Sequence, residues 1–177
     1  MTSHTESTTS AMLTGSFRDR AEVERAYNSL LERGYSKDEI NVIMSDDMRK
    51  QHFSSTSETT ELGTKAAEGG LTGATVGGAI GAVAGALALA GTLAIPGLGI
   101  VLAGPVAAGL VGLGAGAAAG GLVGTLIGAG IPEERAKTYE NDIKAGGIVM
   151  GVTPRSTEDA QHIEREWSGF RAENVQR

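Results

Sequence analysis

The stretch MLTGSFRDRAEVERAYNSLLERGYSKDEINVIM, Met12 to Met44, decides the fold. Met12 to Phe17 reads as a strand. Asp19 then offers an N-cap, with Glu22 placed to complete a capping box. Val23, Ala26, Tyr27, Leu30 and Leu31 follow at i, i+3, i+4, i+7 and i+8, the buried face of an amphipathic helix. Gly34 supplies the left-handed position that ends it. Ile40 to Met44 is an apolar run of strand length. The stretch is therefore a β-α-β unit.

A second unit of the same kind closes the chain. Pro132 opens a helix at its first position, with Glu133 and Glu134 in the first turn, where they suit the helix dipole. Ala136, Tyr139 and Ile143 mark its buried stripe and Gly146 ends it. Gly147 to Val152 reads as a strand, and Ser156 or Thr157 caps a further helix with Ala160, Ile163, Trp167 and Phe170 on its buried face. Glu173 to Gln176 is a short edge strand. Setting aside the helix that begins at Pro132, the order is βαβ then βαβ. This predicts an α+β protein with a split ferredoxin-like domain, residues 12–45 and 132–177, whose four antiparallel strands carry two helices on one face. Each half is too small to fold well alone, so the halves are expected to close on each other.

What separates them is unlike either half. Residues 46–68, rich in Ser and Thr, read as a mobile linker. From Gly69 to Pro132, 64 consecutive residues carry no Asp, Glu, Lys, Arg or His, and 20 of the 27 glycines lie there. Gly69, Gly73, Gly77, Gly81 and Gly85 are spaced by four, as are Gly112, Gly116, Gly120, Gly124 and Gly128. Steps of four stay on one stripe of a helix. Pro96, Gly97, Gly99 and Pro105 lie between the two series and read as the turn of a helical hairpin, about Leu71 to Ala94 and Pro105 to Gly130. In water five interior glycines cost a helix about 5 kcal/mol relative to alanine. In lipid the unpaired backbone enforces helix, and small-xxx-small stripes pack helices closely. Residues 69–131 are thus expected to form a glycine-zipper hairpin inserted in the ferredoxin-like domain. An arm of 24 residues spans about 36 Å, enough for a hydrocarbon core of about 30 Å. Lys65 on one side and Arg135 and Lys137 on the other place both flanks, and both termini, on the cytoplasmic side of the cell membrane. The expected partners are a lipid membrane and further copies of the chain, a homo-oligomer. The competing reading is a soluble assembly, a filament or shell, with the hairpins buried inside it.

Composition excludes several other classes. There is no cysteine, hence no disulfide or thiolate chemistry. The formal charge of −6 and pI near 5.1 argue against nucleic acid as a partner. No GxxxxGK[ST] loop occurs and no cation lies in the block, so its glycines do not cradle a phosphate. His4, His52 and His162 have no partner at ligand spacing, so no metal is expected. Asp46-Asp47, Glu133-Glu134 and Glu158-Asp159 sit at turns or first helical turns, where capping explains them. Trp167 and Phe170 read as core. Residues 1–11 form a Ser/Thr-rich tail without the apolar stretch of a secretory signal. No catalytic residue, cofactor or small-molecule substrate is expected.

The run GSFRDRAEVERAYNSLLERGYSKDEINVIMSDD, Gly15 to Asp47, resembles the opening motif of the bacterial YflT-like general stress proteins, which include heat-induced and low-temperature-induced members. The Gly/Ala-rich centre with IPGLG at Ile95 to Gly99, and GIPEERAKTYENDIKAGGIVMGV at Gly130 to Val152, are similar to the rest of that family's pattern. The resemblance spans about Leu13 to Val175. It implies a stress-response protein without an assigned enzyme activity and brings no catalytic residues. The resulting expectation is a non-enzymatic protein that associates with the membrane and self-assembles through its hairpin. A ligand- or partner-sensing head coupled to the hairpin is the further alternative.

Overall fold

The computed structural model describes residues 11–53, 83, 93–95, 99–107, 121–128 and 131–177. In chain order these form β1 (Leu13–Phe17), α1 (Arg20–Glu32), a 3-10 turn (Lys37–Glu39), β2 (Ile40–Ser45) and α2 (Asp46–His52). There follow β3 (Leu93–Ile95), β4 (Ile100–Ala103), α3 (Gly121–Gly128), α4 (Glu133–Lys144), β5 (Ile148–Val152), α5 (Thr157–Gly169) and β6 (Glu173–Gln176). The protein is α+β, with an antiparallel sheet in the order β3-β4-β2-β5-β1-β6.

The N-caps expected at Asp19 and Ser156 form. The Asp19 carboxylate accepts from the Ala21 amide at the start of α1, and Gly34 follows its end at φ +86°. The Ser156 hydroxyl accepts from the Asp159 amide at the start of α5. Pro132 stands one position earlier than expected, as the N-cap of α4 rather than its first residue. Val23, Ala26, Tyr27 and Leu30 of α1, with Ala160, Ile163 and Trp167 of α5, pack on one face of the sheet. They meet Leu13, Phe17, Val42, Met44, Ile148, Met150 and Val152. The edge of the Phe17 ring meets Trp167, with centroids 5.7 Å apart.

Three expectations need correction. Residues 46–68 do not begin as a linker. Ser45 caps α2 through the Met48 amide, Asp46 pairs with Arg49 and Lys50 one turn on, and Phe53 is buried in the first core. Local capping and charge pairing thus make a helix without an apolar stripe.

The middle of the glycine-rich block is not a helical turn. Ala94, expected as the end of a helical arm, lies in β3. The segment after Gly99 is β4, paired with β2 from Val42↔Ala103 to Ser45↔Ile100. Ile100, Val101, Leu102 and Ala103 are all buried, the pattern of a strand covered on both faces. Pro105 opens a helical turn beyond this strand and so stands outside the turn that holds Gly99. Nor can one right-handed helix run from Pro105 to Gly130, because Gly121 has φ +63°.

The third correction concerns the other face of the sheet, which is covered. Leu122 and Leu126 of α3 and Ala136, Tyr139 and Ile143 of α4 pack there against Ile43, Ile100, Leu102 and Val149. The helix that begins after Pro132 is therefore a layer of the fold as well as a connection.

Candidate functional site

The described parts of the glycine-rich block are held to the charged remainder of the protein at three places. The first is the β2 edge. Gly104 follows β4 at φ +95°, and a Cβ there would stand 2.2 Å from the Ile40 carbonyl oxygen. No residue with a side chain fits between these two main chains. Two residues on, the Val106 amide donates to the Asn41 side-chain oxygen at 2.8 Å. Asn41 is itself buried and its amide nitrogen reaches the Gly151 carbonyl at 3.4 Å. A polar side chain in the sheet thus receives the chain as it leaves β4.

The second place is α3. Leu122, Thr125 and Leu126 face the sheet, and the buried Thr125 hydroxyl donates to the Gly121 carbonyl one turn back. The opposite side of α3 presents Gly124, Ile127 and Gly128. Ile127, at 43% exposure, is the one exposed large hydrophobic residue among the described residues. A Cβ at Gly124 would meet nothing within 4 Å.

The third place is α1. Glu24 is only 2% exposed, and its carboxylate accepts from the main-chain amide of Val83 at 3.1 Å. Val83 is helical and completely buried in the first core. Arg20, one turn before Glu24, lies 3.7 Å from the same carboxylate. Its guanidinium also donates to the His52 carbonyl and covers the Phe53 ring at 4.8 Å.

A separate charged cluster joins the two halves of the domain. Asp159 accepts from Arg33 at 2.6 and 3.1 Å, from the Tyr35 hydroxyl and from the Arg155 amide at 3.3 Å. The Arg155 guanidinium covers the Tyr35 ring at 4.3 Å and reaches Glu39 at 3.2 Å. Partial burial pushes the Asp159 carboxyl up, but these hydrogen bonds outweigh it and hold it below the ordinary carboxylate range. Burial, then the bond to Asp159, pushes Tyr35 up to about 12. The cluster is a clasp between α1, the turn before β2 and the start of α5.

Two cavities among the described residues are lined by charged groups. One of about 70 Å³ is lined by Ser16, Arg18, Asp142, Gly147 and Glu173, far below the roughly 300 Å³ of an ordinary ligand pocket. The other, about 410 Å³, opens between Asp19, Glu22, Arg25, Phe170 and Arg171, where the charges balance. Among the described residues no three of His, Asp and Glu are grouped to hold a metal ion.

Of the residues expected to act, Gly124 and Gly128 lie on the outward side of α3, away from the sheet, and Gly99 lies in the β3–β4 turn. Gly69, Gly73, Gly77, Gly81, Gly85, Gly112, Gly116, Gly120, Pro96 and Gly97 lie outside the described residues. Glu24, Asn41 and Gly104 are the positions that sequence reasoning missed. Glu24 shares a flank with Tyr27 and Leu31, so a carboxylate beside the apolar stripe was the available signal. Four apolar residues between PGLG and Gly104-Pro105 were the signal for β4. Comparison with protein-family models, with curated proteins and with solved structures finds no match to this chain.

Proposed function

We propose that the chain is a non-enzymatic stress-response protein whose ferredoxin-like head carries a glycine-zipper block. The block brings the head to the cytoplasmic face of the cell membrane and to further copies of the chain. The four head strands run β2-β5-β1-β6 with α1 and α5 on one face, which supports the ferredoxin-like plan. The resemblance to general stress proteins supplies the stress context.

The observation that carries the reading is the 64-residue run without charge, in a chain where charged residues crowd the remainder. Its outward side in α3 exposes Ile127 beside two glycines, a surface with no ion to desolvate on entering lipid or meeting another copy. Among the described residues no helix is long and apolar enough to cross a membrane. The described surface of the block available to lipid is the outward side of α3.

The test is flotation of the full-length protein with phospholipid vesicles, followed by an alkaline wash, with Ile127→Lys alongside. We expect wild type to rise with lipid and the variant to rise less while melting at the same temperature. Wild-type protein that stays at the bottom overturns the membrane reading. One observation favours a second reading, a soluble assembly: Ile100 and Leu102, in the middle of the block, are already covered by the head. On the same gradient that assembly stays below as a large particle.

A further inference from the structure

We propose that the cavity of about 410 Å³ between the start of α1 and the end of α5 binds a small zwitterion of the α-amino acid class. The site belongs to the head and stands independently of the membrane reading. Glu22 carries the inference. Its place three residues after Asp19 offers it one bond of a capping box, yet α1 is capped by Asp19 alone, through the Ala21 amide. Glu22 is instead buried, 9% exposed, with its side chain on the cavity wall and no hydrogen bond to its carboxylate among the described residues. Arg171 stands 3.9 Å away, beyond hydrogen-bond reach, with a side chain 86% exposed. A carboxylate so far withdrawn from water is costly without donors around it, and its open side is the cavity. Arg25, on the same wall, has no carboxylate partner among the described residues. Its guanidinium donates to the Ala21 carbonyl at 3.2 Å and lies 5.9 Å from the centre of the Phe170 ring.

The charges around the cavity select the ligand. A simple cation drawn to Glu22 and Asp19 is repelled by Arg25 and Arg171, and a simple anion meets the reverse. A molecule bearing both charges satisfies both sets. The helix ends repeat the arrangement, because the positive end of the α1 dipole and the negative end of the α5 dipole open on the same space. The 3.9 Å between Glu22 and Arg171 requires the two ligand charges to lie side by side, as an ammonium and a carboxylate on one carbon do. The ammonium would donate to Glu22, and the carboxylate would accept from Arg171 and Arg25, a charge-assisted bond at each end. The volume lies within the roughly 300–1,000 Å³ of small-molecule pockets. Arg171 is also held at φ +62°, a helix-ending position where glycine is usual, so a guanidinium is kept there against the backbone's preference.

The test is thermal melting of the full-length protein with each of the common L-α-amino acids at about 10 mM. We expect at least one to raise Tm by about 4 °C at about ten times its Kd. Its amide and its N-acetyl derivative, which lack one charge each, are expected to leave Tm unchanged. Glu22→Gln keeps the shape and should melt like wild type while binding about tenfold more weakly by calorimetry. Arg171→Gly separates binding from folding: glycine suits the left-handed backbone, so the unliganded Tm should equal or exceed that of wild type while affinity falls by a similar factor. The proposal is overturned if no amino acid moves the melt, if the single-charge derivatives act as well as their parent, or if either variant binds as tightly as wild type.

Discussion

Replacing Gly104 by alanine tests whether the glycine-rich block belongs to the sheet. At φ +95° an alanine costs about 1–2 kcal/mol before any contact is considered. Its Cβ would also stand 2.2 Å from the Ile40 oxygen, about 1 Å inside the roughly 3.3 Å at which carbon and a carbonyl oxygen ordinarily meet. Ile40 cannot yield, because it begins a strand held on its other side by Val152 of β5. The chain after β4 must move instead, loosening the β4 ladder and the burial of Val101, Leu102 and Ala103. We expect a total cost of about 3–5 kcal/mol, or roughly 10 °C in Tm for a chain of this size. Gly99→Ala is the matched control. Its φ is +61° and a Cβ there meets nothing within 4 Å, so only the backbone penalty of about 1 kcal/mol remains. Both variants are to be melted by circular dichroism, with hydrogen exchange on the β2 peptide. If Gly104→Ala costs no more than Gly99→Ala, β4 does not lie against β2 and the described seat of the block is wrong.

Other outcomes follow from contacts elsewhere. Deleting residues 69–131 in favour of a short linker removes β3, β4 and α3 and uncovers Ile43 and Val149. We therefore expect the product to bind a hydrophobic dye and melt early; a sharply melting, dye-free product would show that the second face needs no cover. Asp159→Asn is expected to lower stability at pH 7 by about 1–3 kcal/mol through weakened bonds to Arg33 and Tyr35. Because the folded Asp159 carboxyl is held low, its contribution is full above about pH 4, the unfolded value, and fades as pH falls through the folded one. Urea midpoints of wild type and variant should converge on acidification, and a gap that persists undiminished refutes the clasp. Tyr139→Phe removes the bond to the buried Thr14 hydroxyl, 2.7 Å away, which keeps only a 3.4 Å contact to the Gln176 carbonyl, and the bond to the Asn174 carbonyl at 3.0 Å. A loss of about 1–2 kcal/mol is expected in urea melts, and a neutral result would mean that water replaces the phenol.

The head was legible because its two halves speak in periods and caps. Val23 to Leu31 and Ala160 to Trp167 show helical spacing beneath an N-cap, and the strands beside them are short apolar runs. The block was illegible for the converse reason. With no polar residue to mark a face, the run Ile100 to Ala103 reads equally as buried strand or buried helix. Glycine spacing then prevailed over a strand of four residues. For α2 the signal was electrostatic, Asp46 against Arg49 and Lys50, and an apolar count passes over it. The covered second face could not be read at all from strands with mixed inner residues. Thr14, Ser16 and Asn41 look solvent-facing until Tyr139, the Glu173 carbonyl and the Val106 amide meet them in turn.

The position of β4 also bears on how the chain assembles as it is made. β2 pairs with β5, yet about a hundred residues of chain separate them, and closing so long a loop is slow and entropically costly. During synthesis β2 would wait with both edges bare while the most apolar part of the protein emerges. β4 arrives roughly halfway through that interval and claims one edge. It can thus act as an internal chaperone for β2, shielding an unpaired strand until its permanent neighbour is born.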